Sequence, residues 1–181
     1  MMGKDLKIVL VGLPGSGKST FGKQLAAELK FPFYDLDALI EGRSQMSIPD
    51  IFSQFGEGEF RKRETEVLQD FLDNEESYVL ASGGGCPCFN DNMELINEKS
   101  VSVYLDVPLE EISMRLGLSK AHNRPMFSGL DQGEITLKLK SLLMDRDYYY
   151  RQSKIKLSGE DFSAELLVSE LIRLIKSSDQ G

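Results

Sequence analysis

The chain has 181 residues, the size of one domain that buries ~70% of its unfolded surface. Its hydrophobic fraction of 41% and aromatic fraction of 9% are those of an ordinary globular protein, and no apolar run is long enough for a membrane span. Asp and Glu number 29 against 21 Lys and Arg, a formal net charge of −8 that argues against nucleic acid and anionic membranes as partners and leaves an anionic substrate to a local cationic pocket.

Met1 to Asp5 run almost directly into a short aliphatic stretch, Ile8 to Val11, so no signal or transit peptide is expected. That stretch predicts a strand buried on both faces. Gly12 to Ser19 then reads G-x-x-x-x-G-K-S, a phosphate-binding loop. Its glycines allow tight turns with N–H groups aimed inward, and a helix starting near Lys18 points its positive dipole end at the same place. Within the loop region, Gly15, Ser16, Gly17, Lys18, Ser19 and Thr20 are the candidate nucleotide-binding residues. Lys18 supplies a charge for the β- and γ-phosphates, and the Ser19 hydroxyl suits Mg²⁺.

The first helix is expected from about Lys18 to Lys30, with Phe21, Leu25 and Leu29 on its buried face. Phe31 to Leu36 predicts a second strand that delivers Asp35 and Asp37 at its C-terminal end, where open α/β sheets bind ligands. Asp37 reads either as a ligand-binding carboxylate or as the cap of the next helix. Ser47 is expected to cap a helix with Pro49 in its first turn. The glycines of Gly56-Glu57-Gly58 predict a break, followed by a charged helix. Arg61 and Arg63 cannot face the same way at their spacing, so one is expected in a pocket and the other paired with Glu57, Glu59 or Glu66.

Val79 to Ala81 predicts a third strand, ending in Ser82-Gly83-Gly84-Gly85, where backbone approaches a ligand closely. Cys86 and Cys88 form C-P-C, too few ligands for a metal site with a single histidine, His122, in the chain; reduced structural thiols in a cytoplasmic setting are expected. A helix from Asn90 to Glu98, a strand from Val101 to Leu105 and a helix from Leu109 to Leu116, closed by Gly117, come next. The aperiodic stretch from about 117 to 129, with Arg124 inside it, has the composition of a mobile loop over an active site. A long helix from Gln132 to Arg151 is expected to carry Leu137, Leu142 and Met144 inward, with its tyrosine run packing through wet hydroxyl tips. Ile155 to Leu157 is a last strand. A helix from Ser163 to Lys176 is expected to turn Leu166, Leu167, Leu171, Leu174 and Ile175 to the sheet, before a frayed tail.

Strands alternate with helices and no linker divides the chain, so the fold class is α/β with a parallel sheet in a single domain over residues 1–181. The residue chemistry amounts to a nucleotide-phosphate cradle, adjacent carboxylates, a glycine turn and later arginines. It describes a kinase acting on a small anionic acceptor that bears a hydroxyl.

The blocks G-L-P-G-S-G-K-S-T, D-L-D at Asp35 to Asp37, G-E-x-E-F-R at Gly56 to Arg61, G-G-G at Gly83 to Gly85, N-R-P at Asn123 to Pro125 and R-x-x-Y at Arg146 to Tyr149 occur in an order that resembles the shikimate kinases. The resemblance implies a P-loop nucleoside-monophosphate-kinase-like fold, with five parallel strands in the order 2-3-1-4-5. It implies transfer of phosphate from ATP to the shikimate 3-hydroxyl, on the route to chorismate and aromatic amino acids. By the same resemblance Asp37 would bind the ring hydroxyls and act as base. Arg61 and Arg146 would grip the carboxylate with the Gly84 backbone. Ser19 would bind Mg²⁺ directly and Asp35 through water. Arg124 would arrive with the lid, and Arg115 would lie by the adenine. Shikimate and ATP are the implied substrates; the small size and the lack of an obvious apolar surface stripe lead to the expectation of a monomer, in the cytoplasmic setting expected from the cysteines. The turn Leu157 to Phe162 departs from the family in being acidic, and the lid in holding Lys120 and His122. A gluconate-type or nucleoside monophosphate kinase on the same fold is the alternative, and a nucleotide-binding partner protein with a dead site the third reading.

Overall fold

The computed structural model describes residues 6–74, 76–118, 125–159 and 163–178. Five strands, β1 (Lys7–Val11), β2 (Phe33–Asp35), β3 (Tyr78–Ala81), β4 (Val101–Asp106) and β5 (Ile155–Ser158), form one sheet in the order β2-β3-β1-β4-β5. All four strand pairings are parallel, so every strand ends on the same edge. That edge carries the phosphate loop after β1, Asp35 at the end of β2 and the glycine turn after β3. β1 lies at the centre, with β3 on one side and β4 on the other, which opens a crevice at its C-terminal end.

β1, β3 and β4 are buried on both faces, as aliphatic strands without polar alternation require, while the edge strand β5 alternates buried Ile155 and Leu157 with exposed Lys156 and Ser158. Ile8 and Leu10 point to one face with Val79, Val103 and Leu157, covered by α1 (Lys18–Leu29) and α7 (Ala164–Ser178). Val9 and Val11 point to the other with Tyr78, Leu80 and Tyr104, covered by α2 (Leu36–Ser44), α3 (Ile48–Leu72), α4 (Asn92–Lys99), α5 (Leu109–Leu118) and α6 (Gln132–Tyr150). The site elements all pack on this second face or grow from the sheet's C-terminal edge.

Local signals set several boundaries. Ser47 caps α3, accepting from the Asp50 N–H at 3.2 Å with Pro49 in the first turn. Gly56, at φ 79° and ψ 175°, kinks α3 at the expected break, so its second half takes a new direction. Asp131 and Glu134 form a reciprocal capping box at the start of α6.

Elsewhere the structure corrects the expectations. β2 is short because Asp35, not Asp37, caps α2: its Oδ1 accepts from the Asp37 N–H at 3.1 Å, and Leu36 already belongs to the helix. Gly117 lies inside α5 and does not end it. A Cβ there would sit 2.2 Å from Gln132 Oε1, so this glycine permits close approach of α6. Leu137 and Met144 are exposed, at 68% and 83%, because the inward face of α6 runs through Ile135, Leu139 and Tyr150 and leaves both on the far side. Leu166 is exposed for the same reason, while Leu167 and Leu171 are buried. The tyrosine run divides: Tyr148 is exposed, whereas Tyr150 is fully buried with its hydroxyl bonded to Gly84 O and the Arg146 side chain. The expectations for Leu174, Ile175 and the tail beyond residue 178 lie outside what is described.

Candidate active site

A cleft of about 880 Å³ opens at the C-terminal edge of the sheet. At one end lies the phosphate loop. Gly12, Gly15 and Gly17 all adopt positive φ, and the loop leads straight into α1. Lys18 is 8% exposed and arches over the loop, its ammonium donating to Gly12 O at 2.8 Å and Leu13 O at 2.9 Å. The Ser16 hydroxyl is buried inside the loop with no hydrogen-bond partner among the described residues. An unfilled buried hydroxyl beside an ammonium and a helix N-terminus fits a phosphate group.

Beside the loop, Ser19 Oγ donates to Asp35 Oδ2 at 2.8 Å, tying α1 to the cap of α2. Two hard oxygen donors at that spacing suit Mg²⁺, which keeps most of its shell for water and phosphate. Among the described residues no group of three or more His, Cys, Asp or Glu could hold a metal without such help. Gly15, Gly17, Lys18, Ser19 and Thr20 line the cleft, whereas Arg115 stands behind it. From α5 this guanidinium pairs with Glu111 and lies 3.4 Å from where a Gly17 Cβ would be.

The adjoining end of the cleft, which meets the loop where Gly84 touches Pro14, holds Asp37, Arg61, Glu64, Gly83 to Gly85 and Arg146, with Ile48, Phe52 and Phe60 as an apolar wall. The kink at Gly56 turns the second half of α3 so that Arg61 faces this end. Its guanidinium donates to Glu64 Oε2 at 2.7 Å and Glu57 Oε1 at 3.2 Å. The rings of Phe60 and Phe89 flank it, at 5.0 and 4.2 Å. Arg63, two positions on, turns away: it donates to Glu59 at 2.9 Å and stacks on Phe55. The expected division between the two arginines is therefore present, but Arg61 holds carboxylates of its own. The glycine turn must be small: a Cβ on Gly85 would lie 2.6 Å from Arg61 Nη2.

Two carboxylates converge on Gly83, where a Cβ would be 3.1 Å from both Asp37 Oδ1 and Glu64 Oε1. Glu64 is 1% exposed, and its Oε1 has no hydrogen-bond partner among the described residues. Burial holds its carboxyl above the usual glutamate range. Arg61 opposes that, Asp37 adds to it, and Arg146 opposes it more weakly. Sequence reasoning passed over Glu64, although its spacing of three from Arg61 on a helix is a pairing signal. It also passed over Tyr150, whose hydroxyl donates to Gly84 O at 2.5 Å.

Cys86 and Cys88 form a short 3₁₀ turn after the glycines, and both are free. Burial raises the Cys86 thiol well above its ordinary value and pushes Cys88 up to about 11, so neither is an activated nucleophile. Arg124, Lys120, His122 and Asn123 of the expected lid, and residues 160–162 of the acidic turn, lie outside the described residues. The lid's exit, Met126 and Phe127, borders the cleft.

The family model for shikimate kinase matches residues 14–176. The chain is 37% identical over 165 residues to a shikimate kinase of Parabacteroides distasonis, covering 91% of this chain and 94% of that protein. It is 41% identical over 175 residues to one from Nitrosomonas europaea, covering 96% and 80%. Among solved structures, shikimate kinase from Bacteroides thetaiotaomicron superposes with a TM-score of 0.84 at 32% identity, over 94% of this chain and 98% of that one. The Acinetobacter baumannii enzyme in complex with shikimate superposes at 0.81 and 34%, over 96% and 94%. A gluconokinase from Sinorhizobium meliloti, at 16% identity and a TM-score of 0.60, shares the fold alone.

Proposed function

The chain belongs to the shikimate kinase family, and we propose that it moves the γ-phosphoryl of ATP onto the 3-hydroxyl of shikimate within this one cleft. The observation that carries the reading is that Arg61, Arg146 and Asp37 line the same cleft as the phosphate loop. A planar, bidentate donor from each of two helices suits a carboxylate, and a carboxylate across from them suits a hydroxyl.

The nucleotide enters with its phosphates over Gly12 to Thr20. Lys18 leaves its carbonyl partners to neutralise charge on the β- and γ-phosphates, and Arg115 serves the nucleotide from the side of α5. Ser19, and Asp35 through water, would hold Mg²⁺, which supplies charge neutralisation on the phosphate oxygens when bound. Shikimate lies with its carboxylate between Arg61 and Arg146, its ring against Phe60, and the Gly84 backbone closing the pocket. Asp37 accepts the proton of the 3-hydroxyl as its oxygen bonds to the γ-phosphorus. The bond from that phosphorus to the β-γ bridging oxygen breaks, and ADP leaves. Arg124, carried by the lid, meets charge on the transferring group.

One kinase domain acting as a monomer completes the proposal. The free thiols favour a reducing compartment, the cytoplasm. No described helix is long and apolar enough to cross a membrane.

The test is ADP release with Mg-ATP and a panel of acceptors. Turnover is expected with shikimate and not with gluconate or a nucleoside monophosphate. Turnover on gluconate alone would overturn the reading.

A further inference from the structure

Tyr150 is placed to do more than fill the core. Its ring is fully buried and packs on Tyr104 of β4 at 5.2 Å, and its hydroxyl donates to Gly84 O and is hydrogen-bonded to the Arg146 side chain. The peptide it holds is closely bounded. A Cβ on Gly84 would lie 2.8 Å from Pro14 of the phosphate loop, and one on Gly85 would lie 2.6 Å from Arg61. Because the Gly84–Gly85 peptide is planar and trans, fixing the carbonyl oxygen also fixes the direction of the Gly85 N–H. Tyr150 lies one helical turn after Arg146 on α6, on the same face. The one hydroxyl thus ties the helix that carries Arg146 to a turn that touches Arg61.

We infer that Tyr150 is a positioning residue for the acceptor, setting the glycine turn and the separation of Arg61 from Arg146 by its bond to Gly84. The inference rests on the reading of Gly84, Arg61 and Arg146 as the carboxylate pocket. It assigns Tyr150 no contact with shikimate. A purely structural tyrosine would cost stability alone, and the molecule contains a matched example. Tyr78 is equally buried, and its hydroxyl donates to a backbone carbonyl, Phe71 O, at 2.9 Å on a part of the sheet remote from the glycine turn.

Tyr150→Phe keeps its ring and loses the bonds to Gly84 O and Arg146, and Tyr78→Phe keeps its ring and loses the bond to Phe71 O. In steady-state kinetics Tyr150→Phe is expected to raise KM for shikimate about five- to tenfold, the scale of one hydrogen bond. Its KM for ATP should stay within about twofold, and kcat should fall by less than KM rises. Tyr78→Phe should lower the melting temperature and leave both Michaelis constants unchanged. An unchanged shikimate KM in Tyr150→Phe, or an equal rise in Tyr78→Phe, overturns the inference. Arg146→Lys, measured alongside, separates the two levels. If Arg146→Lys raises the shikimate KM and Tyr150→Phe does not, the positioning role falls alone. If neither variant moves it, the carboxylate pocket falls as well.

Discussion

Arg61 and Glu64, three residues apart on α3, form a buried ion pair, Nη1 to Oε2 at 2.7 Å, with 13% and 1% of their side chains exposed. The pair orients the guanidinium whose remaining donors reach Glu57 and the cleft. One residue of a buried pair is costly to remove, because the other is left charged and without its partner.

The carboxyl of Glu64 gives stability a signed pH dependence. Its folded pKa is raised above the ordinary glutamate value of 4.5, chiefly by burial, so the folded chain holds this proton more tightly than the unfolded one. The stability it contributes is full below 4.5 and is lost as pH rises through the raised folded value. Urea unfolding of the wild type and Glu64→Gln across that range should therefore show the wild type losing ground to the variant as pH rises, then a constant difference. Growth of the wild type's advantage with pH would contradict this.

Asp37→Asn should lower kcat with shikimate by about a hundredfold or more, the range of a lost general base, and leave ATP affinity within about twofold. The helix start survives, because Asp35 is the cap of α2. Comparable losses in turnover and in ATP binding would remove Asp37 from the acceptor.

Arg61→Lys should raise the shikimate KM about tenfold, since an ammonium can neither fork onto a carboxylate nor stack between Phe60 and Phe89. Arg63→Lys should change nothing in the kinetics, because that guanidinium faces Glu59 and Phe55. Equal effects at the two positions would deny Arg61 its special place.

Alkylation of native protein by iodoacetamide near pH 7 should be slow at both cysteines and become rapid in urea. Cys86 has no access to solvent, and little of Cys88 is thiolate at that pH, with its thiol at about 11. Rapid native labelling of Cys86 would contradict the packing of the turn after the glycines.

The phosphate loop and the parallel sheet were legible because their information is local, whereas the strand order came from the resemblance to the family. A glycine pattern between a strand and a helix admits few conformations, and β-branched runs separated by helices lead to a parallel sheet. The spacing of Arg61 and Arg63 showed that they part on the helix, and the resemblance of the E-F-R block singled out Arg61 as the one in the pocket. Glu64 was not legible, since its burial depends on the direction α3 takes after the kink at Gly56. Tyr150 was hidden in a run of three tyrosines, where composition says nothing of which ring turns inward. Leu137, Met144 and Leu166 were misplaced by counting apolar residues without the phase of the helix. Gly117 read as a helix stop because its neighbour Gln132 is fifteen positions away and visible only in the fold.

The central claim is that one cleft seats the nucleotide phosphates and a cyclic hydroxy acid side by side, with two arginines on the acid. A crystal structure with ADP and shikimate bound tests it most directly. The expected result is the shikimate carboxylate between Arg61 and Arg146, with a ring hydroxyl on Asp37. Shikimate bound in another cleft, with both guanidinium groups turned to solvent, would contradict it.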